Sequence, residues 1–192
     1  AEVLGVNDAP ILVTALEDIT VAEDSEGASF SLISNNDNLY FDDIDIVSGD
    51  LLSYTVAEAV GGLLLVSSEN DSVHIDFMQD SSGTDTLFIT ASDLSGLSVT
   101  DTVVVLVTPV NDAPVVLAQL SISTEEDVSF MITLDDIIYE DVDNGAEDLS
   151  IILSSGENYS VESATVTPSM DYIGLLNIPL HLYDGQDTSL TS

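Results

Sequence analysis

Acidic and amide side chains recur in this chain at matched positions, and every one of them presents oxygen. Asn7-Asp8 and Asn111-Asp112 pair an amide with a carboxylate. Asp43-Ile44-Asp45 and Asp141-Val142-Asp143 set two carboxylates one residue apart, and Glu23-Asp24 and Glu126-Asp127 set them side by side. Asp80, Asp93, Asp171 and Asp184 complete the set. Oxygen-only clusters suit a hard divalent cation, and Ca²⁺ is the first candidate, taking about six to eight carboxylate, amide and backbone oxygens. An Asp-x-Asp pair in an irregular loop puts two carboxylates on one ion. An asparagine adds an oxygen without adding repulsion.

Nothing inside the chain neutralises these acids. Its 192 residues contain no lysine or arginine against 36 aspartates and glutamates, a formal charge of −36. An average chain of this length carries roughly 20 basic side chains. Packed carboxylates repel one another and resist desolvation, so the compensating cations come from outside. At 45% hydrophobic residues the chain still has the apolar content to fold. Salt adaptation would also explain acidity, but it scatters acids, whereas these hold repeated positions. The charge excludes nucleic acid and anionic lipid headgroups as partners. Trypsin-like proteases have no site to cut, which suits exposure outside a cell. The absence of cysteine excludes disulfides and thiolate metal sites. No run of 18 apolar residues is present to insert in a membrane.

These acids are positioned by an internal repeat. Val6-Asn7-Asp8-Ala9-Pro10 returns as Val110-Asn111-Asp112-Ala113-Pro114, a period of 104 residues from Asn7 to Asn111. Asp50 matches Asp148, and Gly83 matches Gly174. The expected organisation is residues 1–6 as the tail of a preceding repeat, 7–110 as a first domain and 111–192 as a second. Alternating segments at 28–33, 73–77 and 87–92, a β-branched run at 102–107, and similar stretches at 128–134, 149–153 and 178–183 read as strands. No segment holds a period of 3.6. The expected fold is all-β: two tandem antiparallel Greek-key β-sandwiches. After Asp184 only eight residues remain, so the second domain lacks a counterpart of the 102–107 strand. That reads as a fragment boundary, or as a sheet edge that accepts a strand from a neighbouring subunit.

The pattern resembles a cadherin-type repeat in its bacterial tandem form, the V-N-D-A-P repeats of large surface adhesins. Leu87-x-Ile89-x-Ala91-x-Asp93 and Ile178-x-Leu180-x-Leu182-x-Asp184 resemble the cadherin L-x-V-x-A-x-D strand. Asp80 and Asp171, each thirteen residues earlier than that aspartate, stand where cadherins place the glutamate of L-D-R-E. The Asp-x-Asp pairs resemble D-x-D, and the Asn-Asp pairs resemble the core of the D-x-N-D-N linker. The resemblance implies Ca²⁺ between successive domains. For the internal junction it implies Glu23, Asp24, Asp80, Asn111, Asp112, Asp141, Asp143 and Asp184. It makes Asn7, Asp8, Asp43, Asp45 and Asp93 half of an upstream junction, and Glu126, Asp127 and Asp171 half of a downstream one. Pro109 and Leu4 replace the first linker aspartate, and Ala113 the last asparagine, so fewer ions per junction are expected than in animal cadherins.

The resemblance implies an extracellular or cell-surface extender, with neighbouring repeats of the same chain as partners. A polysaccharide or like domains on other cells are alternative partners for an adhesive module. No enzyme is expected. The acids repeat with the domain, tryptophan is absent, no G-x-S-x-G elbow occurs, and His74 and His181 do not correspond in the repeat. Asp18, Asp37, Glu58, Glu69, Asp101 and Glu157 read as solvated faces, and Asp135-Asp136 reads either way.

Overall fold

The computed structural model describes residues 5–32, 40–58, 61–69 and 71–191. Leu4, Ile33 and Asp37 lie outside the described residues. The chain divides into two compact units, Ala1–Val110 and Asn111–Ser192.

Unit 1 contains β1 (Ile11–Leu12), β2 (Ile19–Ala22), β3 (Ala28–Ser31), β4 (Phe41–Asp42), a 3₁₀ turn (Ile44–Ser48), β5 (Ser53–Glu58), β6 (Leu64–Glu69), β7 (Ser72–Phe77), β8 (Gly83–Ser92) and β9 (Ser98–Thr108). One sheet runs β2-β9-β8-β5, a second β3-β7-β6, and β1 pairs with β4. Alternation builds the core. Leu87, Ile89 and Ala91 of β8 and Val103, Val105 and Val107 of β9 turn inward and are buried. They meet Leu64, Val73 and Ile75 of the second sheet in one apolar cluster, so the two sheets pack face to face. Each large aliphatic side chain so buried contributes about 1.5–3 kcal/mol.

One pair departs from a wholly antiparallel reading. β2 runs parallel to β9, with Ile19 opposite Val105 and Ala22 opposite Thr108. A parallel pair needs a long crossover, and all the strands between β2 and β9 supply it. The two strands are pinned by acids that read from sequence as solvated. Asp18 Oδ1 accepts Val104 N–H at 2.9 Å, and Asp101 Oδ2 accepts Leu16 N–H at 2.8 Å.

Unit 2 contains β10 (Val115–Gln119), β11 (Phe130–Met131), a 3₁₀ turn (Leu134–Asp136), β12 (Ile137–Glu140), β13 (Ser150–Leu153), β14 (Tyr159–Glu162), β15 (Thr165–Pro168) and β16 (Leu180–Tyr183). The pairings are β10-β12, β11-β15-β14 and β13-β16. Ile132, Ile137, Val166, Leu180 and Leu182 centre a smaller core, with Tyr159 donating its hydroxyl to Ser154 O and Asn177 O, both at 3.0 Å. The strand expected over 128–134 shortens to β11. Asp136 Oδ2 accepts Thr133 N–H at 2.9 Å and its hydroxyl at 2.8 Å, which turns the chain into the 3₁₀ segment instead. Among the described residues unit 2 has no counterpart of β2 or β9.

Candidate metal centre

The acids gather at loops that terminate the strands of each unit. At one end of unit 1, β4 delivers Asp43 as N-cap of the 3₁₀ turn, where its Oδ1 accepts Asp45 N–H at 2.8 Å. Gly49 closes that turn with φ +102°, a left-handed conformation that glycine adopts at no steric cost, and Asp50 follows. Asp50 Oδ1 accepts Leu51 N–H at 2.8 Å and Leu94 N–H at 3.1 Å. Asp93, the residue after β8, accepts Leu97 N–H on Oδ1 at 2.8 Å and the Asn7 amide on Oδ2, also at 2.8 Å. Asp8 N–H reaches Asp45 Oδ2 at 2.8 Å.

The outcome is a three-carboxylate cluster. One oxygen each from Asp43, Asp50 and Asp93 lies within 4.8 Å of the others. Asp43 is 3% exposed and Asp93 6%. Oδ2 of Asp43 and Oδ2 of Asp50 are buried without a hydrogen-bond partner. An acceptor stranded in this way costs about 1–3 kcal/mol, and more when charged. The Asn7 amide, then the backbone N–H groups of the 95–97 turn, hold the Asp93 carboxyl below the usual carboxylate range against the opposing effect of burial. Asp93 is therefore ionised at neutral pH. The chain has no cationic side chain to place here, and a hard divalent cation answers both the stranded oxygens and the repulsion. Asp50 is the residue that the ligand set read from sequence omits. Its match with Asp148 was the signal, but nothing in the sequence says that the turn folds it inward.

Unit 2 rebuilds the frame. The Asn111 amide donates to Asp184 Oδ2 at 2.9 Å, Asp112 N–H to Asp143 Oδ2 at 2.8 Å, and Asp143 N–H to Asp141 Oδ1 at 3.0 Å. Asp141 Oδ2 is buried without a partner. The Asn111 amide, then backbone N–H groups that include those of Asp187 and Gln186, keep Asp184 below the usual range. Here more amides converge. Asn144 and Gln186 donate to Asn111 Oδ1 at 3.4 and 3.2 Å. Asp148 is exposed. Among the described residues no three carboxylates of unit 2 meet as Asp43, Asp50 and Asp93 do.

Other acids of the set also meet within their own unit. Asp24 Oδ1 accepts Asp80 N–H at 3.2 Å, and Asp127 Oδ1 accepts Asp171 N–H at 3.0 Å. All four aspartates hold positive φ, between +52° and +64°, a conformation for which aspartate is enriched. Glu23 is buried, and its Oε1 accepts Val110 N–H at 2.8 Å, whereas Glu126 is exposed. Thus Glu23 already serves the backbone that closes unit 1.

The Bacterial Ig domain family matches residues 7–106 of this sequence. The chain belongs to the bacterial Ig domain family. Solved structures share its fold. Human CDH23 EC21–23 is 15% identical, with a TM-score of 0.51 over 91% of this chain and 64% of that one. Mouse Cadherin-23 EC22–24 is 20% identical, with a TM-score of 0.50 over 92% of this chain and 59% of that one. The chain therefore spans less than two thirds of the length of these structures. A comparison with curated proteins finds no match.

The two histidines of this bacterial Ig domain chain lie on strands of different units. His74 lies in β7, opposite Ser29 and Ser67. His181 lies in β16, where Nδ1 is 2.8 Å from Ser189 O and Nε2 3.3 Å from Thr191 Oγ1. The ring pair found among the described residues, Phe41 with Tyr54, is tilted by 49°, and Phe41 is buried. No described helix is long and apolar enough to cross a membrane.

Proposed function

We propose that this chain is a Ca²⁺-binding, rod-forming extender segment of an extracellular bacterial surface protein, its repeats stiffened by ions held at the ends of the domains. The observation that carries the reading is the pair of stranded oxygens on Asp43 and Asp50 beside Asp93. In unit 1, Asp43, Asp50 and Asp93 would hold the ion, with Asp45 and Asn7 keeping the loops in place. In unit 2, Asp141 and Asp184 would do so with Asn111. The ion supplies charge neutralisation and cross-linking of loops, not bond chemistry. Its binding adds stability as RT ln(1 + [L]/Kd), about 2.7 kcal/mol at a hundredfold excess over Kd. Extracellular modules of this kind bind Ca²⁺ at roughly 10⁻⁴–10⁻³ M, so millimolar Ca²⁺ is the relevant condition.

The spacer role is favoured over sugar recognition by the aromatic residues. Sugar stacking wants exposed faces, and the ring pair here is tilted with one member in the core. Thermal unfolding in EDTA, in millimolar Ca²⁺ and in millimolar Mg²⁺ tests the ion. A rise in Tm specific to Ca²⁺ is expected, together with a longer maximum dimension in small-angle scattering. Equal curves in all three solutions would leave a bacterial Ig chain whose carboxylates are only solvated.

A further inference from the structure

The loop that follows β12 carries part of the acidic frame of unit 2, and it holds the one Asn-Gly pair of the sequence, Asn144-Gly145. Such a pair has a reaction of its own. The backbone nitrogen of the second residue can attack the side-chain amide carbon of the first, and a glycine there has no Cβ to block the approach. Asparagine counts among the thermolabile residues for this reason. The loop leaves both partners free to meet. Asn144 and Gly145 lie outside every strand and helix, Gly145 is exposed, and among the described residues its N–H has no hydrogen-bond acceptor. The Asn144 amide is loosely held. Its Nδ2 stands 3.4 Å from both Asn111 Oδ1 and Asp141 Oδ1, longer than the common N–H···O distance.

We propose that Asn144 is a deamidation site, and that its product gives unit 2 the third carboxylate that unit 1 obtains from Asp50. The Gly145 nitrogen bonds to Asn144 Cγ and gives up its proton. The Cγ–Nδ2 bond breaks, and the amide nitrogen takes a proton and leaves as ammonia. The succinimide ring so formed takes up one water and opens at either carbonyl, to aspartate or to an isoaspartate linkage. Each product carries one new free carboxylate, and water is the only co-reactant. The consequence follows from the contacts. Nδ2 of Asn144 is a donor aimed at Asp141 Oδ1, whereas the oxygen that replaces it in aspartate is an acceptor facing an acceptor. That carboxylate stands beside Asp141, whose Oδ2 is already buried without a partner, and one Asn111 amide away from Asp184. Without metal the like charges repel, and unit 2 loses stability. With a hard cation the added oxygen is a further ligand. The effect on ion binding rests on the Ca²⁺ reading, whereas the modification itself does not.

The full chain is aged at mildly alkaline pH in EDTA and mapped with a protease that cuts at acids. Deamidation at Asn144 is expected at least about tenfold faster than at Asn7 and Asn111, which precede aspartates, and Gly145→Ala should slow it to their level. The alanine Cβ first meets the carboxylate end of Glu147, at 2.8 Å, which can swing aside. Ca²⁺ titrations are then read by NMR at two amides. Gln186 N–H, on Asp184 Oδ1 at 2.6 Å, reports unit 2, and Leu97 N–H, on Asp93 Oδ1 at 2.8 Å, reports unit 1. Asn144→Asp should lower the Ca²⁺ midpoint at Gln186 by about tenfold and leave that at Leu97 in place, because ligand charge count tunes such sites. Ageing should move the native midpoint the same way and leave Gly145→Ala unmoved. Asn144 reacting no faster than Asn7 and Asn111 would overturn the modification site. A response at Leu97 with no tighter binding at Gln186 in Asn144→Asp would overturn its consequence and leave the Ca²⁺ reading standing. No response at either amide would bring down that reading and the consequence together.

Discussion

The acidic ends of the two units share one backbone plan and differ in what crowds around it. Asn7 reaches Asp93 at 2.8 Å, and Asn111 reaches Asp184 at 2.9 Å. Asp8 N–H finds Asp45, and Asp112 N–H finds Asp143, at 2.8 Å in both units. In unit 1 the next acid, Asp50, folds into the cluster and leaves an oxygen stranded beside that of Asp43. In unit 2 the loop ends in a turn, with Asp148 N–H on Gly145 O at 3.0 Å, and Asp148 faces solvent. Neutral amides from Asn144 and Gln186 gather there instead. The motif thus sets hydrogen-bond geometry, while the flanking loop sets how much negative charge is left for an ion to answer.

The largest way to break the comparison lies beneath the loops. Ile89 and Leu180 occupy equivalent core positions on the strands that carry Asp93 and Asp184, and both are fully buried. Truncating either to alanine costs about 2–5 kcal/mol. Unit 2 has the smaller core, so it should unfold first. Leu180→Ala should lower only the earlier calorimetric transition, and Ile89→Ala only the later one. One common transition moving with both variants would mean that the units do not unfold as separate cores.

A smaller effect separates the two clusters directly. Asp50→Asn should weaken Ca²⁺ binding at unit 1 by tenfold or more, about 1.4 kcal/mol per factor of ten. Asp148→Asn should change it by less than about threefold, because an exposed acid adds little. Without metal the sign reverses at Asp50. Removing one of three like charges should stabilise unit 1 by about 1 kcal/mol, since nearby like charges disfavour the ionised state. Isothermal titration and denaturant unfolding in EDTA read the two halves of this statement. Equal losses for both variants would erase the distinction between the clusters.

The β-architecture was legible because strand alternation survives in sequence. Leu87, Ile89, Ala91 and Val103, Val105, Val107 fall on one face each and are buried as a period of two requires. The repeat also exposed the asparagine–aspartate pairs, since Val-Asn-Asp-Ala-Pro stands at both 6–10 and 110–114. Three features were not legible. The inward position of Asp50 depends on where the turn closed by Gly49 releases the chain, a matter of tertiary packing. Asp18 and Asp101 look like surface charge until β2 and β9 come together. The parallel pairing of those strands joins residues 86 positions apart, as between Ile19 and Val105, which no local pattern encodes.

The subtlest contrast concerns protons. Asp93 and Asp184 are both held below the ordinary carboxylate range, first by the Asn7 and Asn111 amides and then by backbone N–H groups. A carboxyl whose folded pKa is depressed adds stability that is present above its unfolded value, near 3.9 for aspartate. That stability is lost as pH falls through the lower folded value, so the window lies below about pH 4. Asn7→Leu removes the leading cause at Asp93 and should raise its midpoint, shrinking the part of acid unfolding that belongs to unit 1. Asn111→Leu should do the same at Asp184. The neighbouring carboxylates separate the two cases. Without Asn7, Asp93 keeps the Leu97 N–H on Oδ1 at 2.8 Å, but Asp43 and Asp50 crowd it, and their repulsion pushes the same way as the lost hydrogen bond. Asp184 keeps the backbone N–H groups of Gln186 and Asp187 on Oδ1, at 2.6 and 2.7 Å. Carboxyl-carbon NMR titration in EDTA should therefore show the larger upward move at Asp93. A larger move at Asp184 would mean that the three-carboxylate cluster of unit 1 is not as crowded in solution as its geometry requires.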